Sequence, residues 1–174
     1  MKKEFVRVAT KEFVHVAASD NSSQYALNLY NKLSTDPEIQ KKFEVVGHIM
    51  PTSQPCTAEK VASIIGGVVE ERKHRGIIVA DTCGRTVMYA SIFPHIRATV
   101  AIDKNQAERM RRERLFANVI AIPSTYVPLE TGYKIIKAFL MAEPTIPQDQ
   151  LKREITAMTR RFRRNIQYSK LYSR

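Results

Sequence analysis

The chain has 174 residues, 44% of them hydrophobic and 26% charged, which fits one globular domain, two at most, and excludes a disordered or collagen-like chain. Its two cysteines, Cys56 and Cys83, exclude a disulfide framework and a cysteine-rich zinc site, and no apolar run approaches the ~20 residues that span a bilayer. The net charge of +11 is uneven, +2 over residues 1–103 and +9 over residues 104–174, so the C-terminal part attracts anions such as nucleic acid, acidic lipid, a phosphorylated metabolite or an acidic partner.

The start, MKKEFVRVATKEF, is basic but has neither a long apolar stretch nor a small-residue cleavage site, so it does not read as a signal peptide. With so few cysteines, the simplest setting is a reducing, cytoplasmic one. EFVRVA at 4–9 is echoed by EFVHVA at 12–17. Two copies are too few for a solenoid. The second copy reads as the first strand, and residues 1–12 read as an N-terminal arm or an extra edge strand.

Five short apolar runs follow in order: FVHVAAS (13–19), EVVGHIM (44–50), GIIVAD (76–81), ATVAID (98–103) and NVIAIP (118–123). IIVA and TVAI are apolar almost throughout, as strands are when helices cover both faces of a parallel sheet. Helical patterns lie between and after the runs. Ser22–Leu33 carries Tyr25, Leu29 and Leu33 on one face, and Thr57–Lys73 carries Val61, Ile64, Ile65, Val68 and Val69. Asn105–Arg114 is strongly basic, with Arg109, Arg111, Arg112 and Arg114. Leu129–Met141 carries Ile135, Ile136, Phe139 and Leu140. The alternation predicts a single α/β domain with a Rossmann-like open parallel five-stranded sheet. After a proline-bounded joint, EPTIPQ, a basic C-terminal helix is predicted over Gln148–Ser169, within a tail spanning 148–174. Its apolar stripe of Leu151, Ile155, Met158, Phe162 and Ile166 needs a covering surface, and a neighbouring subunit supplies one.

Ligands of open α/β sheets bind beyond the carboxyl ends of the strands. That rule selects Ser19-Asp20-Asn21-Ser22, then Asp81-Thr82-Cys83-Gly84-Arg85-Thr86, then Asp103-Lys104-Asn105. Carboxylates there suit acid–base work, and the same residue types also cap helices. The loop DTCGRT exposes backbone N–H groups that hold an oxyanion or phosphate, although neither dinucleotide nor P-loop fingerprint is present. Arg85 can pair with an anion or stand in solvent. Cys83 can be a thiolate activated by Arg85 and the helix start, or a small packed residue. His15, His48, His74 and His95 show no ligand spacing and read as structural or solvated, so neither a metal nor another cofactor is expected. The basic stripes with Tyr168 and Tyr172 would also suit nucleic acid, a lesser alternative to a solvated face. No membrane association is expected.

The order of segments GIIVADTCGRTVMYASIFPHIRATVAID, MRRERLFANVIAIP and YKIIKAFLMAE resembles the sugar-phosphate isomerase family of type B ribose-5-phosphate isomerase and the two galactose-6-phosphate isomerase subunits. The match runs from about residue 13 to 154, and VAASDN is similar to the family's opening strand. The resemblance implies a dimer or tetramer, or a mixed assembly with a paralogous subunit, with sites between subunits. It implies aldose–ketose interconversion of a pentose or hexose phosphate through a cis-enediolate.

Carried onto this chain, the resemblance assigns proton transfer to Asp81 or Cys83, with Thr82 and Asp20. It assigns substrate and phosphate contacts to Asn21, Gly84, Arg85, Arg112, Arg114, Lys152 and Arg153. Several family positions have changed. The family's basic cysteine, aspartate in the A-type subunit, falls at Ala80, one place before Asp81. Two loop glycines fall at Cys83 and Arg85. The ring-opening histidine falls at Arg114, its asparagine neighbour at Leu115, and the first histidine at Asn21. Arginine does not deprotonate near neutral pH. A subunit without its own chemistry, serving as an anion-binding or scaffold partner, therefore stands as the alternative reading.

Overall fold

The computed structural model of the chain describes residues 11–49, 57–69, 74–80, 83–112, 117–143 and the helical residues 153, 156, 157 and 160, leaving out the side chains of Asp20 and Cys83. Five strands, β1 (Glu12–Ala18), β2 (Phe43–His48), β3 (His74–Ala80), β4 (Ala98–Val100) and β5 (Val119–Pro123), form one sheet in the order β2-β1-β3-β5-β4. Every pairing is parallel, with Val16 opposite Gly47 on one side of β1 and Ile77 on the other. This is the predicted Rossmann-like sheet.

The helices are α1 (Ser23–Thr35), α2 (Pro37–Lys42), α3 (Ala58–Val68), α4 (Cys83–Ala90), α5 (Lys104–Arg112) and α6 (Leu129–Met141). They cover both faces of the sheet, and strand alternation sorts the core accordingly. Val14, Val16, Ile77, Val79, Ile120 and Ile122 pack with Leu29 and Leu33 of α1 and Ile135, Ile136 and Phe139 of α6. Ala17, Ile78, Ala80, Val119 and Ala121 pack instead with Val61, Ala62 and Ile65 of α3 and Ala90 of α4. Each fully buried isoleucine or leucine contributes roughly 1.5–3 kcal/mol of transfer free energy.

The predicted strand over 98–103 ends three residues early. Asp103 is the reason: its Oδ1 accepts from Gln106 N at 2.8 Å and starts α5, while Ile102 N donates to the Gln106 side chain at 3.1 Å. The carboxylate thus caps a helix. The helix predicted to Lys73 stops at Val68, and residues 70–73 lie outside the described set. The short α2 was not predicted, although its signal is present: Asp36 caps it through Glu38 N and Ile39 N, and Pro37 occupies its first position. Residues 1–10 and nearly all of the predicted C-terminal helix lie outside the described residues.

Candidate functional site at the carboxyl edge

The chain leaves β1 toward β2 on one side and leaves β3 toward β4 on the other, so the connections diverge between β1 and β3. A crevice outside the carboxyl ends of two such strands is where open α/β sheets take ligands. The segments after these strands are Ser19–Ser22 and Asp81–Gly84, which the sequence had singled out.

Backbone hydrogen bonds fix the tip of β3 from both sides. Ser19 N donates to Val79 O at 3.1 Å, and Ser124 N donates to Ala80 O at 3.0 Å. The loop after β1 turns tightly, Ser22 N donating to Ser19 O at 2.9 Å. It is tied to the loop after β5 by the hydroxyls of Ser22 and Ser124, 2.7 Å apart. Ser22 is fully buried. The loops after β1 and β5 therefore meet at Ala80, the last residue of β3. Asn21 is exposed beside it.

α4 begins at Cys83, directly after that tip, and its Gly84 and Arg85 are exposed. A Cβ built on Gly84 meets nothing within 4 Å among the described residues. The start of α3 lies alongside. Thr57 Oγ1 accepts from Lys60 N at 3.4 Å and caps α3. Glu59 is held below the usual carboxylate range by its own backbone N–H, by side-chain hydrogen bonds from Thr57 and Tyr89, and by the charge of Arg85. The Tyr89 hydroxyl is raised in turn, chiefly by its bond to Glu59. Arg85 thus already feels an anion of its own chain.

Of the other predicted contacts, Arg112 does not reach this edge. α5 runs back along the sheet, so Arg112 in its last turn is remote from its start at Lys104. Arg112 lies 3.9 Å from Glu108. Its neighbour Arg111 donates to Ala117 O at 3.3 Å and is pushed down to about 10 by burial and by the charge of Arg75. Arg75 in turn pairs with Glu12, the first residue of β1, at 2.8 Å. That cluster marks the amino edge of the sheet. Asn118, just before β5, also lies there, its side chain bonding Arg97 N and His95 O at 2.8 Å each. Arg153 is helical and exposed. Asp81, Thr82, Arg114 and Lys152 lie outside the described residues, as do the side chains of Asp20 and Cys83.

Ser19, Ser22 and Ser124 were not assigned roles from sequence. The strand-end rule that selected the loops after β1 and β3 applies equally to Ser124, after β5. Two surface clefts of about 470 Å3 each open elsewhere, along α6, one lined by Asp36, Tyr133 and Lys137 and the other by Glu108, Arg112 and Lys134. Their charged groups are largely engaged with one another. Among the described residues, no group of three or more histidine, cysteine, aspartate or glutamate side chains is arranged to hold a metal ion, and no helix is long and apolar enough to cross a membrane.

A parallel sheet covered on both faces, with the loops after β1 and β5 tied together at the tip of β3, defines a protein of the open-sheet α/β class. Residues 14–158 match the ribose/galactose isomerase family, and the chain belongs to it. Solved structures agree in fold. The ribose 5-phosphate isomerase of Thermotoga maritima superposes with a TM-score of 0.71 at 17% identity, covering 85% of this chain and 97% of that one. A mutant of the type B ribose 5-phosphate isomerase of Trypanosoma cruzi gives 0.74 at 18% identity, covering 88% and 99%. Ribose-5-phosphate isomerase B of Mycoplasma genitalium, solved with bound ribulose-5-phosphate, gives 0.67 at 20% identity, covering 88% and 99%. No curated protein matches the sequence significantly.

Proposed function

We propose that this protein is an aldose–ketose isomerase acting on a phosphorylated pentose or hexose at the carboxyl edge of β1 and β3. The observation that carries the reading is the family match over residues 14–158, which spans every strand and both loops of that edge. The ribulose-5-phosphate named with the Mycoplasma genitalium structure supports a phosphorylated sugar as the ligand class.

The chemistry requires a base to take the proton from C2 of the open-chain aldose and return it to C1. The C2–H electron pair becomes the enediolate double bond, and a proton passes from O2 to O1 as the ketose carbonyl forms. Asp81 or Cys83 serves as that base, with Thr82 beside it and Asp20 across the crevice. Backbone N–H groups of the first turn of α4, at Gly84 and Arg85, face the developing oxyanion. Asn21 orients sugar hydroxyls.

The phosphate needs cations, and among the described residues Arg85 is the predicted one at this edge. Arg112 sits toward the amino edge, so a site completed by a second copy or a paralogous subunit brings Arg112, Arg114, Lys152 and Arg153 to the crevice. An oligomer, of this chain alone or with a paralogous subunit, is the assembly this reading requires.

One observation favours the second reading. Ala80, where the family carries its base, is 2% exposed within β3 and bears no group that can move a proton. A subunit that binds the sugar phosphate without converting it, as a scaffold or anion-binding partner, follows if Asp81 does not replace that base. NMR of the purified protein with ribose 5-phosphate, allose 6-phosphate and galactose 6-phosphate separates the two. Ketose signals growing with enzyme concentration are expected. Ligand line broadening without product establishes the second reading. Neither turnover nor binding removes both.

A further inference from the structure

Three histidines from three adjacent strands meet in a line on one face of the sheet. His15 Nδ1 lies 2.9 Å from His48 Nε2, and His15 Nε2 lies 2.8 Å from His74 Nδ1. The ring centroids are 5.2 and 5.1 Å apart, with interplanar angles of 29° and 6°. Each separation equals two ring radii plus one N···N contact. The rings therefore meet edge to edge in a straight chain rather than face to face. Phe13 closes the β3 end, its ring 5.0 Å from that of His74. His15 is 7% exposed.

The row has a fixed capacity for protons. Its six ring nitrogens form two contacts and two free ends, and each contact holds one N–H facing one lone pair. Three neutral rings carry three N–H groups and satisfy both contacts. A fourth proton fills the remaining free end. A fifth would place N–H against N–H and break a contact. The contacts are also too short to admit a bridging metal ion, since each nitrogen's lone pair or proton points at its neighbour.

We propose that His48, His15 and His74 form a proton-counting latch that fastens the edge strand β2 to the sheet at neutral pH and loosens it in mild acid. Among the described residues β2 pairs only with β1, so this row adds side-chain hydrogen bonds across the ladder that holds it and carries them on to β3. Burial, and then the charges of His48 and His74, hold His15 down to about 4, and burial holds His48 below the ordinary histidine range. Among the described residues, the charged and titratable groups on the elements around this face are Lys11 before β1, Glu44 on β2, Glu59 and Lys60 on α3, and Arg85 and Tyr89 on α4. Among the described residues none of them hydrogen-bonds the row.

The sign follows from linkage. Between about pH 6.5 and about 4 an unfolded or detached His15 binds more protons than His15 in the row, and His48 is shifted in the same direction, so stability falls as pH falls through that window.

Hydrogen exchange and 15N NMR of the intact protein test the latch. After correction for intrinsic exchange, protection of the β2 amides that bond β1 falls about tenfold between pH 7 and pH 5 relative to Ile120 and Ala121 of β5. His48→Gln, at the half-buried end of the row, flattens that fall. The imidazole nitrogens of His15 keep neutral shifts well below pH 6. Parallel behaviour of β2 and β5 amides overturns the proposal, as does a His15 that titrates like an isolated imidazole. The wild-type nitrogen titration decides the matter alone if His48→Gln does not fold.

Discussion

Ser22 and Ser124, 102 positions apart in sequence, place their hydroxyl oxygens 2.7 Å apart and so join the loop after β1 to the loop after β5. Ser22 is fully buried, while Ser124 is half-buried. Removing one partner leaves a polar group to desolvate, and removing both does not. Ser22→Ala is expected to destabilise the fold by about 1 kcal/mol, with the Ser22→Ala, Ser124→Ala double variant costing less than the sum of the singles. Urea denaturation of the four proteins in the cycle checks this. Strict additivity would show that the pair carries no coupling.

Asp36 joins the α1–α2 turn to α6. Its carboxylate accepts from Glu38 N at 2.8 Å, from Lys137 Nζ at 2.7 Å and from the Tyr133 hydroxyl. Burial pushes its pKa up, but the bonds from Lys137, Tyr133 and the two α2 amides outweigh burial and hold it well below the usual carboxylate range. Its stabilisation is therefore complete above the unfolded value of about 3.9 and is lost as pH falls below it. Asp36→Ala removes the cap and leaves the Lys137 charge facing Glu38 alone, and it is expected to cost about 2–3 kcal/mol at pH 7. The gap between Asp36→Asn and the wild type is expected to narrow from pH 5 to pH 2. Denaturation midpoints across that range measure it.

Much of the fold is legible because parallel strands covered on both faces read as near-continuous apolar runs, as Ile77, Ile78 and Val79 do. The divergence of the chain between β1 and β3 then follows from topology, and it places Asp20 and Asp81 at one edge. What the chain order hides is lateral alignment. His15, His48 and His74 have no spacing that announces them, because their meeting depends on the register of β1 against two neighbours. The same blindness covers Ser22 and Ser124. Arg112 shows a further gap: a basic helix is obvious in sequence, but the end of the sheet on which each arginine falls depends on where Asp103 starts α5.

Two consecutive glycines in α3 face opposite environments. A Cβ on Gly66 would come within 2.5 Å of the Phe93 ring, whereas one on Gly67 meets nothing within 4 Å. The Gly66 carbonyl also accepts from His95 Nε2 at 2.9 Å, so the α3–α4 approach is held from both sides. Gly66→Ala is expected to destabilise by about 1–3 kcal/mol through overpacking. Gly67→Ala is expected to stabilise by about 0.5–1 kcal/mol, the ordinary helix gain. Equal effects in guanidinium melts would mean that Phe93 moves aside without cost.

Gly84 offers the sharpest separation of stability from activity at the carboxyl edge. It lies in the first turn of α4, exposed, with open space where a methyl group would go. No neighbour in the described fold asks for glycine there, so Gly84→Ala is expected to leave stability unchanged or raise it by up to about 1 kcal/mol. If the α4 amides face an enediolate, the added methyl group obstructs the approach of the reacting carbons, and turnover falls about tenfold or more with little change in folding. Measuring kcat and the urea midpoint on the same preparation keeps the two effects apart. Unchanged turnover would mean that substrate does not approach this helix turn, and the proton-transfer chemistry would have to be sought on the β1 side of the crevice, around Asp20 and Asn21.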